Sequence, residues 1–369
     1  MPEPLVLSAD SHVVEPADLW TARIEAQYRE RAPRVVQRAA NLPDGDWFVC
    51  ENLRPFPVSG FAVAGLDPKD FGKGMMAGYP GVRPGAWDPV QRLKDQEVDG
   101  VAGEVIYPSL GMMLYGIKDG GLRAASFRAY NDWLAEFCGH APRRLAGIAL
   151  VPMDDVAQAA AELQRAARLG LRGGLIWGAP PAARPYDSPE WDLLWAAAQD
   201  CALPLSLHIL TGAEGSGLDG ASLMKTYPSL PHRMERSLSD LIFGGALQRF
   251  PGLKIVSAEN DIGWIPHFLQ RLDHSYHNYR SLEAGAVIPE KPSFYFRRQV
   301  AATFQDDRVG VVTRDFVGAE NLMWASDFPH SDSTWPNSRA VIARDFEGVP
   351  SADVAKITRE NCARVYGIG

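Results

Sequence analysis

The chain has 369 residues, 46% of them apolar, enough for a large buried core in one big α/β unit or two smaller ones. A net charge of −8, with no run of Lys and Arg, excludes a phosphate-rich nucleic acid as partner and leaves a small organic substrate as the expectation. No apolar run approaches the roughly 18 residues that cross a bilayer, the opening residues lack the basic region of a signal peptide, and Cys50, Cys138, Cys201 and Cys362 show no CxxC spacing. A cytoplasmic protein without membrane contact or disulfides is therefore expected.

Short β-rich runs alternate with amphipathic helical patterns along the chain. The first run is Leu5 to Ala9, ending at Asp10, and the second is Val101 to Tyr107, which carries Glu104. A helix over about 122 to 139 leads to Leu145 to Val151, and one over about 155 to 168 leads to Gly174 to Trp177. A helix near 188 to 200 feeds Leu203 to Ile209, which contains His208; another, about 236 to 249, feeds Lys254 to Ala258, with Glu259 next. A helix over about 263 to 280, a run near Gln299 to Phe304, a helix near 307 to 316, the run Asn321 to Ala325 and a helical segment over about 338 to 366 complete the series.

Eight strands, each followed by helix, predict an α/β fold that closes as a (β/α)8 barrel, with a doubly wound sheet as the alternative. Residues 21 to 90 break the rhythm, being rich in Gly, Pro and aromatics such as Trp47, Phe56, Phe61 and Trp87. In a barrel they form a long insertion after the first strand, expected as a lid over the catalytic end of one domain spanning 1 to 369.

Asp10, Glu104, His208, Glu259 and Asp327 each fall in or just after a strand. Strand ends converge in a barrel, and clustered buried carboxylates call for a compensating cation, most simply a divalent metal. Asp10 and His12 stand two apart on an extended chain, so their side chains leave the same face and can chelate one ion.

The segment Ser8-Ala9-Asp10-Ser11-His12-Val13-Val14-Glu15-Pro16 resembles the opening of the amidohydrolase-related enzymes, the group containing aminocarboxymuconate semialdehyde decarboxylase. Asp95-Gln96-Glu97-Val98-Asp99-Gly100-Val101 running into Glu104, Asn131-Asp132-Trp133-Leu134, Val151-Pro152 and Ser326-Asp327-Phe328-Pro329-His330 extend the similarity over nearly the whole chain. The resemblance implies a distorted (β/α)8 barrel in which Asp10 and His12 are the first-strand metal pair. It implies His208 as the fifth-strand ligand and Asp327 as the carboxylate that binds metal and handles a proton.

The sequence departs from that pattern in two places. Strand one offers Asp10 where most members have His or Glu, and Glu259 replaces the usual sixth-strand His. The expected ligand set is then Asp10, His12, Glu104, His208, Glu259, His274 and Asp327, with Asp327 and Glu259 catalytic and His330 contacting substrate. His274, with His267 and His277 as lesser candidates, comes from the helix after Glu259 and supplies the nitrogen that a second ion needs.

Three activities remain open on these grounds. The favoured expectation is a dioxygen-activating hydroxylase with a dinuclear iron or manganese and iron centre. The alternative is a hydrolase or non-oxidative decarboxylase using a metal such as zinc to activate water. The third is a metal-stabilised, catalytically silent subunit. A homo- or hetero-oligomer is expected in each case.

Overall fold

The computed structural model describes residues 5–39, 41–213, 223–283 and 288–369. Its strands, in chain order, are β1 (Leu7–His12), β2 (Arg34–Val36), β3 (Trp47–Val49), β4 (Phe56–Pro57), β5 (Gly103–Tyr107), β6 (Leu145–Leu150), β7 (Gly173–Ile176), β8 (Leu205–His208), β9 (Ile255–Ala258), β10 (Val300–Phe304) and β11 (Leu322–Trp324). Eight of them form one parallel sheet in the order β1-β5-β6-β7-β8-β9-β10-β11. This sequential order, with helical connections, is that of a TIM barrel.

The seam between the first and last strands is closed beyond the end of β11. Asp327 N–H donates to Asp10 O at 2.9 Å and His12 N–H donates to Phe328 O at 2.6 Å. Ser326 N–H donates to Ser8 Oγ at 2.8 Å. The expected first strand ended at Asp10, whereas β1 runs on to His12, with an irregularity in its pairing to β5 between Ser8 and Ser11. That irregularity is a local bulge of the kind that re-aims side chains at a sheet margin.

The helices follow the apolar periodicity. Val156–Arg168 is capped by Asp155, whose carboxylate accepts from Gln158 N–H at 2.9 Å, and it buries Ala159, Ala160, Leu163 and Ala166. Where one long helix was expected over 236 to 249, the chain forms Pro231–Phe243 and Ala246–Arg249, divided at Gly245, whose φ is 76°. The C-terminal segment is likewise broken between Ser338–Asp345 and Ser351–Ala355, because Gly348 takes a φ of 78° and Pro350 follows it. Periodicity marks the buried face of such segments but is blind to a one-residue turn in the middle.

Residues 21–90 hold the antiparallel sheet β2-β3-β4 and a chain of short helical turns. Phe48 of β3 packs on the buried Trp20 at 5.2 Å between ring centroids, which anchors this excursion to the barrel. No helix among the described residues is long and apolar enough to cross a membrane.

Asn131 ties the helix Gly120–Gly139 to β6. Its amide donates to Leu150 O at 3.0 Å and to Glu162 Oε1 at 2.6 Å, while its oxygen accepts from Leu150 N–H at 2.8 Å. Replacing Asn131 with Leu leaves a buried backbone N–H unpaired. We expect urea denaturation to show a loss of about 1–3 kcal/mol; an unchanged midpoint would remove this residue from the fold's supports.

Candidate metal centre

The C-terminal ends of the strands bring six ligand-type side chains to one point. Asp10 and His12 come from β1, His208 from the last position of β8, Glu259 from the residue after β9, and Asp327 and His330 from the turn after β11. His12 Nε2 lies 3.4 Å from Asp10 Oδ1, 3.3 Å from Asp327 Oδ1 and 3.6 Å from Glu259 Oε2. His208 Nε2 lies 3.2 Å from Glu259 Oε2 and 3.7 Å from Asp10 Oδ1. Glu259 and Asp327 adopt φ of 53° and 54°, a left-handed conformation that is costly for a side chain with a Cβ. Glu259 turns off directly from β9 and Asp327 stands three residues beyond β11, and each turn coincides with its carboxylate joining the cluster.

The two imidazoles are oriented from behind. His12 Nδ1 meets Pro108 O at 2.8 Å and His208 Nδ1 meets Ile209 O at 2.9 Å. A carbonyl only accepts, so each Nδ1 carries hydrogen and each Nε2 presents a lone pair inward in the neutral ring. Thr303 of β10 braces the acids by donating from Oγ1 to Asp10 Oδ2 at 3.2 Å and accepting from Glu259 N–H at 2.8 Å.

Asp10 Oδ1, His12 Nε2, His208 Nε2 and both Asp327 oxygens are buried without a hydrogen-bond partner. Lone pairs converging in this way are unfavourable unless a cation or protons lie between them. Burial, followed by the charge of Asp327, pushes Glu259 up from the ordinary carboxylate range, and burial also raises Asp327. Burial opposes ionisation of Asp10 too, but the neighbouring His208 and His12 outweigh it and hold that carboxyl low. Both His12 and His208 are raised by the surrounding carboxylates in spite of burial.

The donor atoms form two overlapping groups: His12, Glu259, Asp327 and His330 in one, and Asp10, His12 and His208 in the other, with atoms within 4.8 Å of one another in each. Carboxylate oxygen mixed with imidazole nitrogen suits a divalent ion such as manganese or zinc. His330 is set slightly apart. Its ring stacks on His12 at 3.9 Å between centroids, its Nδ1 lies 3.2 Å from Asp327 Oδ1, and its Nε2 shares a 2.7 Å hydrogen bond with Ser109 Oγ.

Two residues expected in the cluster lie outside it. Glu104 points away into a buried ion pair, with Oε2 accepting from Arg92 Nε at 2.5 Å and Gln96 Nε2 at 2.7 Å, and Oε1 accepting from Ser11 Oγ at 3.1 Å. Its charge is already satisfied by a guanidinium that strand-position reasoning did not consider. His274 is exposed on the helix Ile265–Tyr279, which turns Ile265, Phe268, Leu269 and Leu272 to the core; a residue two beyond Leu272 falls on the far side of a 3.6-residue period. Its Nε2 bonds to Asn278 Nδ2 at 2.8 Å. His267 and His277 are exposed on the same helix. The nitrogen ligands expected for a second ion are therefore on the outside of the barrel.

Arg92, Gln96, Thr303 and Ser109 were missed from the sequence. Arg92 is wholly buried, donates from Nη1 to His12 O at 2.7 Å, and lays its guanidinium 4.7 Å from the centre of the Phe328 ring. The only available signal was its place twelve residues before Glu104, in a helix that begins at the Asp88 cap.

Glu15 supports the same region. Its carboxylate accepts from Leu110 and Gly111 N–H, each at 2.9 Å, and so fixes the segment that carries Ser109 and Met113 along the cavity wall.

Glu104→Gln leaves the buried Arg92 charge poorly compensated, and we expect a loss of roughly 3 kcal/mol in chemical denaturation, with unaltered metal stoichiometry by elemental analysis. Loss of metal at undiminished stability would instead return Glu104 to the ligand set. Burial raises the Glu15 carboxyl from 4.5 to about 7 against the opposing pull of those backbone hydrogen bonds. An acid raised in the folded state contributes stability below its unfolded pKa and loses it as pH climbs through the folded value. Relative to Glu15→Gln, the native protein should therefore lose on the order of 3 kcal/mol between pH 4.5 and about 7.5; a flat difference across that window would refute the assignment.

Residues 81–368 match the amidohydrolase family. Over 266 residues the chain is 26% identical to a gamma-resorcylate decarboxylase of Rhodococcus jostii, covering 65% of this chain and 75% of that one. In structure it is similar to an amidohydrolase from Mycobacterium avium subsp. paratuberculosis, with a TM-score of 0.80 at 19% identity and full coverage of both chains. It is also similar to a dihydroxybenzoic acid decarboxylase from Polaromonas solved with manganese and 2-nitroresorcinol, with a TM-score of 0.69 at 17% identity, covering 99% of this chain and 97% of that one. The two decarboxylases among these relatives overturn the expectation of a dioxygen-activating hydroxylase, since the activity each carries is a decarboxylation. The carboxylates that suggest a dinuclear centre, Asp10 and Glu259, do join the cluster, but Glu104 and His274, which would have served a second ion, are engaged elsewhere. With its family match spanning most of the barrel and its strand-end cluster in place, the chain belongs to the amidohydrolase family.

Proposed function

We propose that this protein is a metal-dependent, non-oxidative decarboxylase of a small carboxylic acid. The observation that carries the reading is the convergence of unpaired buried donor atoms from Asp10, His12, His208 and Asp327 in a cluster that opens, through Glu259, Asp327 and His330, onto an apolar cavity. The decarboxylase names of the relatives and the manganese in the Polaromonas enzyme support it.

His12, His208, Asp10 and Asp327, with Glu259 beside them, would hold one divalent ion. Such an ion, when bound, supplies Lewis acidity that fixes the substrate's anionic oxygens and stabilises negative charge developing on the substrate. The chain's residues account for the remaining requirements. Asp327 borders both the cluster and the cavity, so a proton on its carboxyl is placed to reach the substrate carbon. As the bond to the carboxylate carbon breaks and carbon dioxide departs, the electron pair stays on the substrate carbon and takes up that proton; solvent then reprotonates Asp327. His330, held between Ser109 and Asp327, faces the cavity and would orient the substrate.

Residues 21–90 act as the lid in this reading. Phe56, Val58, Phe61 and Ala62 from that excursion form one wall of the cavity, and an apolar wall keeps water from competing for the carbanionic carbon.

Manganese-loaded protein is expected to release labelled carbon dioxide from a carboxyl-labelled hydroxybenzoate without consuming oxygen. Chelation should abolish release and added manganese restore it. Asp327→Asn should lower kcat by about 10²–10⁴ while the circular dichroism spectrum is kept. Full turnover by that variant, or failure of metal-loaded protein to decarboxylate any member of a hydroxybenzoate panel, would refute the proposal.

A further inference from the structure

The cavity over the cluster spans about 770 Å³ of space free of protein atoms, part of it open to solvent. Its walls are built mainly from Phe56, Phe61, Leu110, Met112, Met113 and Leu230. The ionisable side chains that line it are Glu259, Asp327, His330, Tyr227 and Asp332; among the described residues no Lys or Arg does so. Residues 1–4, 40, 214–222 and 284–287 add none, since their sequences contain no Lys, Arg or His. Near the mouth, Tyr227 Oη donates to Asp332 Oδ2 at 2.7 Å, so the polar group at that end of the cavity is an acid with its phenol partner.

An anionic substrate thus meets one place where negative charge can be met, the metal centre, and otherwise encounters apolar walls or carboxylates. A second carboxylate on the same molecule would lose its water without gaining a cation, and it would approach Asp332. Specificity of this kind arises from repulsion built against the wrong ligand as much as from attraction to the right one.

We propose that the pocket selects acids with a single carboxylate on an otherwise uncharged, largely apolar body, and rejects acids that carry a second anionic group. This inference rests on the decarboxylase reading for the place where the first carboxylate binds. It narrows the substrate class by the composition of the walls.

Two matched probes test it: 4-propyl-2-hydroxybenzoate and 4-(2-carboxyethyl)-2-hydroxybenzoate, which differ in the charge at the far end. Calorimetric titration of manganese-loaded protein should show the monoacid binding at least about tenfold more tightly than the diacid, a floor well below the cost of a fully desolvated, unpaired charge. Met113→Arg should place a cation on the wall and reverse that preference. Asp332→Asn, a smaller change that keeps the side-chain shape, should narrow it by strengthening diacid binding alone. Equal affinity for the two acids, stronger binding of the diacid, or no binding of either would overturn the proposal. Selective monoacid binding without release of carbon dioxide would leave the pocket assignment standing and defeat the decarboxylase reading instead.

Discussion

Two backbone hydrogen bonds, from Asp327 N–H to Asp10 O and from His12 N–H to Phe328 O, are the constraint on which the rest of the molecule depends. They join the last strand to the first where no ladder pairs β11 with β1, and three of their four residues, Asp10, His12 and Asp327, also place side chains in the cluster. Closure and site assembly are therefore one event. A parallel barrel cannot bring residues more than three hundred positions apart into contact until its seam shuts.

The cost of that arrangement is buried charge, and the structure meets it in two ways. Glu104 is compensated by the Arg92 guanidinium, with Gln96 and Ser11 completing its hydrogen bonds. Among the described residues no guanidinium or ammonium pairs with Asp10, Glu259 or Asp327; their neighbours are imidazoles aimed with their Nε2 atoms inward. The Arg92 to Glu104 pair also grips the carbonyl of His12 and the ring of Phe328, so the compensated acid underpins the seam beside the uncompensated ones. The distinction between an acid that supports a site and an acid that forms it is here a matter of which cation lies nearby.

The chemistry above the cluster follows from the walls. The cavity has apolar walls, with acids at its floor and mouth and no Lys or Arg among its described lining residues. Such a site suits a reaction in which negative charge develops on carbon and must be shielded from water until a proton arrives. The similarity to decarboxylases agrees with that environment; a count of carboxylates points to oxygen chemistry only while the Arg92 to Glu104 ion pair is out of view.

The sequence by itself determined the order of eight strands, the metal-type pair Asp10 and His12 and the candidates His208, Glu259 and Asp327, because strand periodicity and position at a strand end are local properties. It was misleading for Glu104, which lies near the start of β5 rather than at its end, and for His274, whose helix was correctly read while the face it takes was not; the partners of both were not visible. Nor could local pattern show Arg92, Thr303 or Ser109, each of which matters through a contact with a segment distant in the chain. Only the tertiary structure decided these, because the sign of a buried carboxylate's role depends on the nearest cation, and that neighbour is set by how the strands close around the axis.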